Sequence, residues 1–461
     1  MIPAHIITAL QSIAGKERVF SSPEDKITYS YDGTPLHEHL PEAIVRPTTK
    51  EQVSQIVRLA NEEEFRIVPR GAGSGLSGGS IPVANCIVMD LSQWNRILEI
   101  DTENLTAWVE PGVITSQLHQ KVEELGLFYP PDPGSMNICT IGGNVAENSG
   151  GLRGLKYGVT KNYVMGLEVV LPNGEIIQCG GKTVKDVAGY NLKDLFIGSE
   201  GTLGIFTKIL LKLIPKPETS KTMIAYFNTQ ADAGRTVSAI IAQKIIPCTV
   251  EFLDRITIKC VEDFAKIGLP TDIESLLLLE VDGNAAVVEE EAAKVAECCR
   301  QNNAVEVKIA QTTEEAMKLK TARRSAFSAL ARFRPTTILE DITVPRSEIA
   351  VMLETIAAIS KKYNVMIGTF GHAGDGNLHP TCLTDERDHE EIARAEKAYE
   401  EIFIEAVKLG GTITGEHGTG LAKKKFLHLV TGHAAIDTMR AVKRAMDPNN
   451  ILNPGKVFDP S

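Results

Sequence analysis

The segment PRGAGSGLSGGS at 69–80 constrains the fold of this chain more than any other. It follows the apolar run RIVPR, which reads as a strand, and it spells GxGxxG at Gly73, Gly75 and Gly78. A Rossmann dinucleotide site with that spelling needs a helix opening at its third glycine, so that amides and helix dipole face a pyrophosphate. Here Pro82 follows, and the β-branched pair Ile87 and Val88 leads into another strand. The Lys and Ser/Thr of a P-loop are missing as well. What remains is a run of backbone amides with little side-chain cover, able to curl around a phosphate pair without a helix. Taken alone, the spelling is equally compatible with a flexible loop.

The strand before the loop completes a βαβ unit. AIVRP reads as a strand, and a helix starts at Thr49 with Gln52 three residues on, the spacing of a capping box. Apolar periodicity carries that helix to Ala60, and RIVPR follows. Further strands are expected at CIVMDL, LTAWVEPG, VMGLEVVL and GEIIQCG, with a helix at 114–125. The two prolines of IPKP at 214–217 disfavour helix and central strand alike and mark a boundary. Beyond it helices and strands alternate. Apolar residues at 349, 352, 353, 356 and 359 give one helix a single buried face, and a long helix at 392–407 stops at Gly410 and Gly411.

At 461 residues the chain is too long for one hydrophobic core, and 43% hydrophobic with 23% charged residues excludes a largely disordered protein. A formal charge of -11 repels phosphate backbones and anionic lipid, so nucleic acid is not an expected partner; Lys423, Lys424 and Lys425 read as a solvated helix face. The amino terminus lacks the basic start and continuous apolar block of a signal peptide, and no apolar run spans a bilayer, so the cytoplasm is the expected location. Eight scattered cysteines include no CxxC pair and read as small buried hydrophobes; any iron–sulfur relay must sit on another chain.

Two more stretches narrow the reading. PPDPGSMNICTIGGNVAENSGGLRGLKYG at 130–158 carries seven glycines, and GYNLKDLFIGSEGTLGIFT at 189–207 again sets glycines beside apolar strand residues. Separate close-approach segments suit a long, bent ligand with a diphosphate and a ring. In this combination, over nearly the whole chain, the sequence resembles FAD-binding oxidoreductases of the vanillyl-alcohol oxidase and p-cresol methylhydroxylase (PCMH) superfamily. Within it the chain is similar to the D-lactate dehydrogenase and glycolate oxidase D-subunit branch, to which D-2-hydroxyglutarate dehydrogenases also belong. The resemblance implies an α+β fold with three parts: a two-subdomain FAD-binding domain of PCMH type at 1–217, an α+β substrate or cap domain with an antiparallel sheet at 218–420, and a helical 421–461 segment packing back on the first domain.

Carried over position by position, the resemblance implies FAD contacts at Pro69, Arg70, Gly71, Ala72, Gly73, Ser74, Gly75 and Gly78 around the pyrophosphate. Pro133, Ser135, Gly142, Gly143, Asn144, Ala146, Asn148, Gly150 and Gly151 are then expected along the adenosine and flavin portions. Glu200, Gly201, Gly204, Ile205 and Asn453 complete the set. Many superfamily members attach the flavin through a His or Cys; the 69–80 loop holds neither, so non-covalent FAD is expected.

The second region supplies reactive side chains. His372 and His379 flank Asp375-Gly376, a hairpin signal, and folding across that turn is expected to make them cross-strand neighbours, with Cβ atoms roughly 4.5–5.5 Å apart. ITGEHGTG at 413–420 adds Glu416 and His417 between glycines that permit a turn. Two imidazoles and a carboxylate make an open triad for Zn, Mn or Fe in the divalent state; the competing reading is two strand-surface histidines and a turn carboxylate. The resemblance implies that His372, His379 and Glu416 hold the metal beside the flavin and that His417 acts on the substrate hydroxyl. It also places Arg323, in KTARRSAF, as the clamp for a substrate carboxylate, with Arg324 as the adjacent alternative.

The reaction implied is oxidation of a small D-2-hydroxy acid to the 2-keto acid, hydride passing to FAD and electrons to a separate acceptor. That acceptor is an iron–sulfur subunit, an electron-transferring flavoprotein or a quinone-linked protein; a homodimer and peripheral membrane attachment through the partner stay open. Dicarboxylate-specific relatives carry a Lys just before the strand that here reads LEDITVP, whereas this chain has Leu339, which favours lactate or glycolate over 2-hydroxyglutarate. A metallohydrolase with a nucleotide-binding loop is the alternative from another class, and an FAD-binding subunit without its own substrate is a third.

Overall fold

Thr49 caps the helix Lys50–Glu62, its hydroxyl oxygen accepting the Gln52 amide at 3.2 Å. The reciprocal half of the expected capping box differs. Gln52 Oε1 accepts from the Thr48 amide at 2.7 Å and from the Thr48 hydroxyl, not from the Thr49 amide, so the free donor it satisfies lies one residue upstream. Val53, Ile56, Val57 and Ala60 turn inward and share a core with Ala43, Val45, Ile67, Ile87 and Met89, into which the first helix, Ala4–Ala14, sends Ile6, Leu10 and Ala14. The flanking strands Ala43–Val45 and Arg66–Arg70 run parallel, but they are not neighbours: Cys86–Asp90 lies between them and pairs with both.

This computed structural model describes residues 2–459. Contacts divide it into two units, the first running to Ser149 and including Val159–Lys216 and everything from Glu416 onward. Besides its mixed four-stranded sheet the first unit holds a five-stranded antiparallel sheet, ordered Ile97–Asp101, Thr106–Val109, Ile205–Lys212, Val164–Val170, Ile176–Gly180. Its last long helix, Leu427–Met446, is interrupted at Gly432, where φ is 71°.

The second unit comprises Gly150–Gly158 and Pro217–Gly415. Its antiparallel sheet is ordered Ala304–Ile309, Thr219–Phe227, Ser275–Gly283, Thr249–Asp254, Met366–His372, Asn377–Thr384, Thr336–Leu339, with Ile342–Thr343 also on Asn377–Thr384. The helix Ile349–Tyr363 buries Ile349, Met352, Leu353, Ile356 and Ile359, the positions its spacing predicts, each worth roughly 1.5–3 kcal/mol if fully buried. The helix His389–Lys408 starts three residues before the predicted 392, because Asp388 accepts the Glu391 amide as a cap. It ends at Gly410 in the left-handed conformation, φ 81°. Among the described residues no helix is long and apolar enough to cross a membrane.

Candidate active site

In the first unit the strand Arg66–Arg70 runs out into residues 71–79, which form bends and turns without any helix. Gly73 and Gly78 take positive φ, 67° and 81°, which glycine adopts without strain. Gly71 is glycine for a different reason: a Cβ there would overlap the Thr140 hydroxyl. That hydroxyl caps the helix Ile141–Glu147 by accepting the Gly143 amide at 3.2 Å. The backbone of the loop 69–80 at Gly71 therefore lies directly against the Thr140 side chain that caps the helix Ile141–Glu147.

The third glycine-rich stretch joins them. The Glu200 amide donates to Ala146 O at 2.9 Å and the Gly198 amide to Val145 O at 3.0 Å. Asn453, buried and with φ 42°, donates its amide nitrogen to Gly79 O at 2.8 Å and Glu200 O at 2.7 Å, tying the C-terminal segment to both. Pro133 and Ser135 shape a turn whose carbonyls accept from Met136, Ile138 and Cys139. Asn144 is buried and spends its side chain on Thr115 Oγ1 at 2.8 Å, and Asn148 ends its helix in the left-handed region. Gly204 packs so closely on Val169 that a side chain has no room, and Ile205 starts a core strand. Gly150 and Gly151 belong to the second unit.

Arg70 supplies the test of what this cradle suits. It is 7% exposed, burial lowers its pKa, and among the described residues it makes no salt bridge. Its guanidinium has one long bond to Ser80 O at 3.5 Å and stands 5.4 Å from the centre of the Tyr29 ring. A buried cation without a carboxylate, inside a loop of bare amides, fits a diphosphate such as that of FAD.

Glu200 faces elsewhere. Its carboxylate accepts the amides of Thr419 and Gly420, both at 2.7 Å, so it braces the turn carrying His417. Beside it, Glu147 has a buried oxygen without a hydrogen-bond partner, and burial, then the charges of Glu200 and Asp32, hold its carboxyl well above the usual range. Sequence reasoning passed over Glu147; its polar setting in AENSGG gives no signal. In the same turn Glu416 and His417 are partly buried with Oε1 and Nε2 3.7 Å apart, and Gly418 and Gly420 take φ of 87° and 50°.

The second unit places His372 and His379 on the hairpin Met366–His372 and Asn377–Thr384, but not opposite one another. His379 faces Phe370 and His372 faces Asn377, because Ala373–Asp375 form a 3-10 turn that Gly376 ends at φ 83°. The imidazoles are diagonal neighbours on one face, ring centroids 5.3 Å apart and perpendicular, both buried.

Two carboxylates missed in the sequence organise them. Glu251, fully buried in Thr249–Asp254, has Oε1 2.6 Å from His372 Nδ1, and its Oε2 accepts from Arg323 Nε. Arg323 is buried at the end of the helix Thr313–Arg324 with its guanidinium 4.8 Å from the centre of the Phe370 ring; Arg324 is exposed. Asp341, also fully buried, accepts from Thr414 Oγ1 and the Gly415 amide, each at 2.8 Å, and from Asn377 Nδ2. His379 also lies near it, Nδ1 at 3.9 Å. With the bridge Thr343–Thr412, this holds residues 412–415 against the hairpin. The division between units falls at the next peptide bond, so Glu416 begins one residue beyond a backbone group fixed by Asp341. A lone acid in the apolar run CTVEFL was the available signal for Glu251.

Comparisons with known proteins bear on both units. A model of an FAD binding domain matches residues 41–180, and a model of the C-terminal domain of FAD linked oxidases matches 216–457. The glycolate oxidase subunit GlcD of Bacillus subtilis (strain 168) is 55% identical over 99% of this chain and 97% of its own length. The D-lactate dehydrogenase of Anaerostipes hadrus is 35% identical over 99% and 98%. Among solved structures, p-cresol methylhydroxylase with substrate bound superposes with a TM-score of 0.82 over 99% of this chain and 96% of that one, at 21% identity, which establishes the shared PCMH-type fold. The chain belongs to the FAD-linked oxidase family, with the GlcD subunits and D-lactate dehydrogenases among its relatives.

Proposed function

We propose that this chain oxidises glycolate or D-lactate to the corresponding 2-keto acid, using non-covalent FAD and a divalent metal and passing electrons to a separate acceptor. The observation that carries the reading is the buried group of His372, His379 and Arg323, two of them joined through Glu251. Similarity to a GlcD subunit and a D-lactate dehydrogenase supports the substrate class. The family assignment displaces the metallohydrolase reading.

In this reading the 69–80 loop, with Arg70, holds the FAD diphosphate, and the absence of His and Cys from that loop supports dissociable flavin. Bound FAD supplies the hydride acceptor. His372, His379 and Glu416 would hold a divalent ion, which would supply acidification of the substrate hydroxyl; the Nδ1 contact of His372 with a carboxylate is what a metal-binding imidazole ordinarily shows. Arg323 keeps four N–H donors beyond the one given to Glu251 and takes the substrate carboxylate. His417 accepts the hydroxyl proton. Leu339, buried on its strand, offers no cation for a second carboxylate, which supports a monocarboxylate over 2-hydroxyglutarate. The eight cysteines include no CxxC pair of the kind that holds an iron–sulfur cluster, which supports an acceptor with its own redox centre on another chain.

Anaerobic addition of glycolate or D-lactate should bleach the visible flavin absorbance. Unchanged absorbance with both acids and with related D-2-hydroxy acids would overturn the reading.

A further inference from the structure

All six residues of the strand Thr249–Asp254 are buried, Glu251 among them. A carboxylate there is costly unless both oxygens are matched by donors. Both are: one by His372 Nδ1, the other by Arg323 Nε. A ring nitrogen 2.6 Å from a carboxylate oxygen donates its N–H to it, so the lone pair of a neutral His372 sits on Nε2. The guanidinium is held by its Nε edge and flanked by Phe370, which fixes its plane and leaves the Nη edge to point away. Phe370 in turn faces His379 across the hairpin, ring centroids 5.3 Å apart.

We infer that Glu251 is a positioning residue serving two groups at once: it sets the His372 tautomer that presents Nε2 to a divalent cation, and it aims Arg323 at the substrate carboxylate. This rests on the roles proposed above for His372 and Arg323. It adds a coupling, since one carboxylate links the cation-binding and anion-binding halves of the site.

The test uses full-length, FAD-bound Glu251→Gln, which keeps side-chain volume but sets an amide donor against either His372 or Arg323. Affinity for Zn2+ and for Mn2+, measured by competition with a chromophoric chelator, should fall roughly 10–100-fold. KM for glycolate or D-lactate should rise in the same variant with flavin content unchanged. A purely structural role would lower the melting temperature and leave metal affinity and KM as they are, and that result overturns the inference. Independently of how the variant folds, 15N spectra of histidine-labelled wild type, with His372 assigned by its loss in His372→Gln, should show Nδ1 protonated and Nε2 not; the opposite tautomer overturns it. Wild type that takes up neither cation overturns the metal reading and the His372 half with it. Equal uptake by wild type and Glu251→Gln overturns the inference alone.

Discussion

The glycine loop of the first unit and the hairpin of the second handle polar groups in opposite ways. Residues 71–79 present backbone, and Arg70, a buried cation at the start of that loop, makes no salt bridge among the described residues. The hairpin presents side chains, and its histidines and Arg323 lie beside the buried acids Glu251 and Asp341. A surface of amides binds whatever anion fits its curve and is spoiled by added bulk. A network of paired charges fixes individual orientations and is spoiled by removing a partner.

The sharpest break in that comparison should come from His417→Ala. If His417 takes the substrate proton, kcat falls roughly 10²–10⁴-fold while flavin content stays at the wild-type level. Unchanged turnover would mean that His417 does not take the substrate proton and that another group is the base. Gly71→Ala should do the reverse. Its new methyl overlaps the Thr140 hydroxyl, so flavin affinity should fall at least tenfold, about 1.4 kcal/mol, measured as dissociation of FAD during dialysis. Adding Thr140→Ala removes the oxygen in the way and should restore part of the binding; no recovery would mean that Gly71 matters for another reason.

The two regions were also unequally legible. Bare backbone has to be written as glycine, so 69–80, 130–158 and 189–207 announce themselves. The face of Ile349–Tyr363 was equally plain, because 3.6-residue periodicity is local. The hairpin was legible as a hairpin but not in its register: the 3-10 turn at Ala373–Asp375 adds residues that an Asp-Gly spelling does not count, and so the histidines become diagonal. Glu251 lies 121 residues before His372, and nothing in TVEFLD says which strand will run beside it. The capping box missed by one residue for a similar reason, since Thr48 and Thr49 offer alternative donors and only backbone geometry chooses.

A smaller effect is expected at Asp341. Its Oδ2 accepts from Thr414 and Gly415, and its Oδ1 from Asn377, so Asp341→Asn turns one acceptor into a donor facing donors. The cost should be about 1–3 kcal/mol. The release of residues 412–415 should show as faster amide exchange at Gly415, with the 69–80 loop unaffected. Exchange that rises equally in both regions would mean that the two are not independent.

The mildest and most specific contrast is one of pH. Asp254 caps the helix Arg255–Ala265 and accepts the Thr369 amide at 2.8 Å, pinning the strand that carries His372. Burial lifts its pKa from 3.8 to about 6, although the Thr257 and Thr369 amides pull the other way. Between those values the folded protein binds a proton that the unfolded chain has released, so this group's contribution to stability is largest near pH 4 and declines as pH rises through 6. Asp254→Asn holds the neutral form at every pH. Its stability relative to wild type, followed by urea denaturation, should therefore improve by up to roughly 3 kcal/mol between pH 4 and pH 7. A relative stability that is flat over this range would mean that Asp254 titrates normally and that its hydrogen bonds, not its burial, dominate.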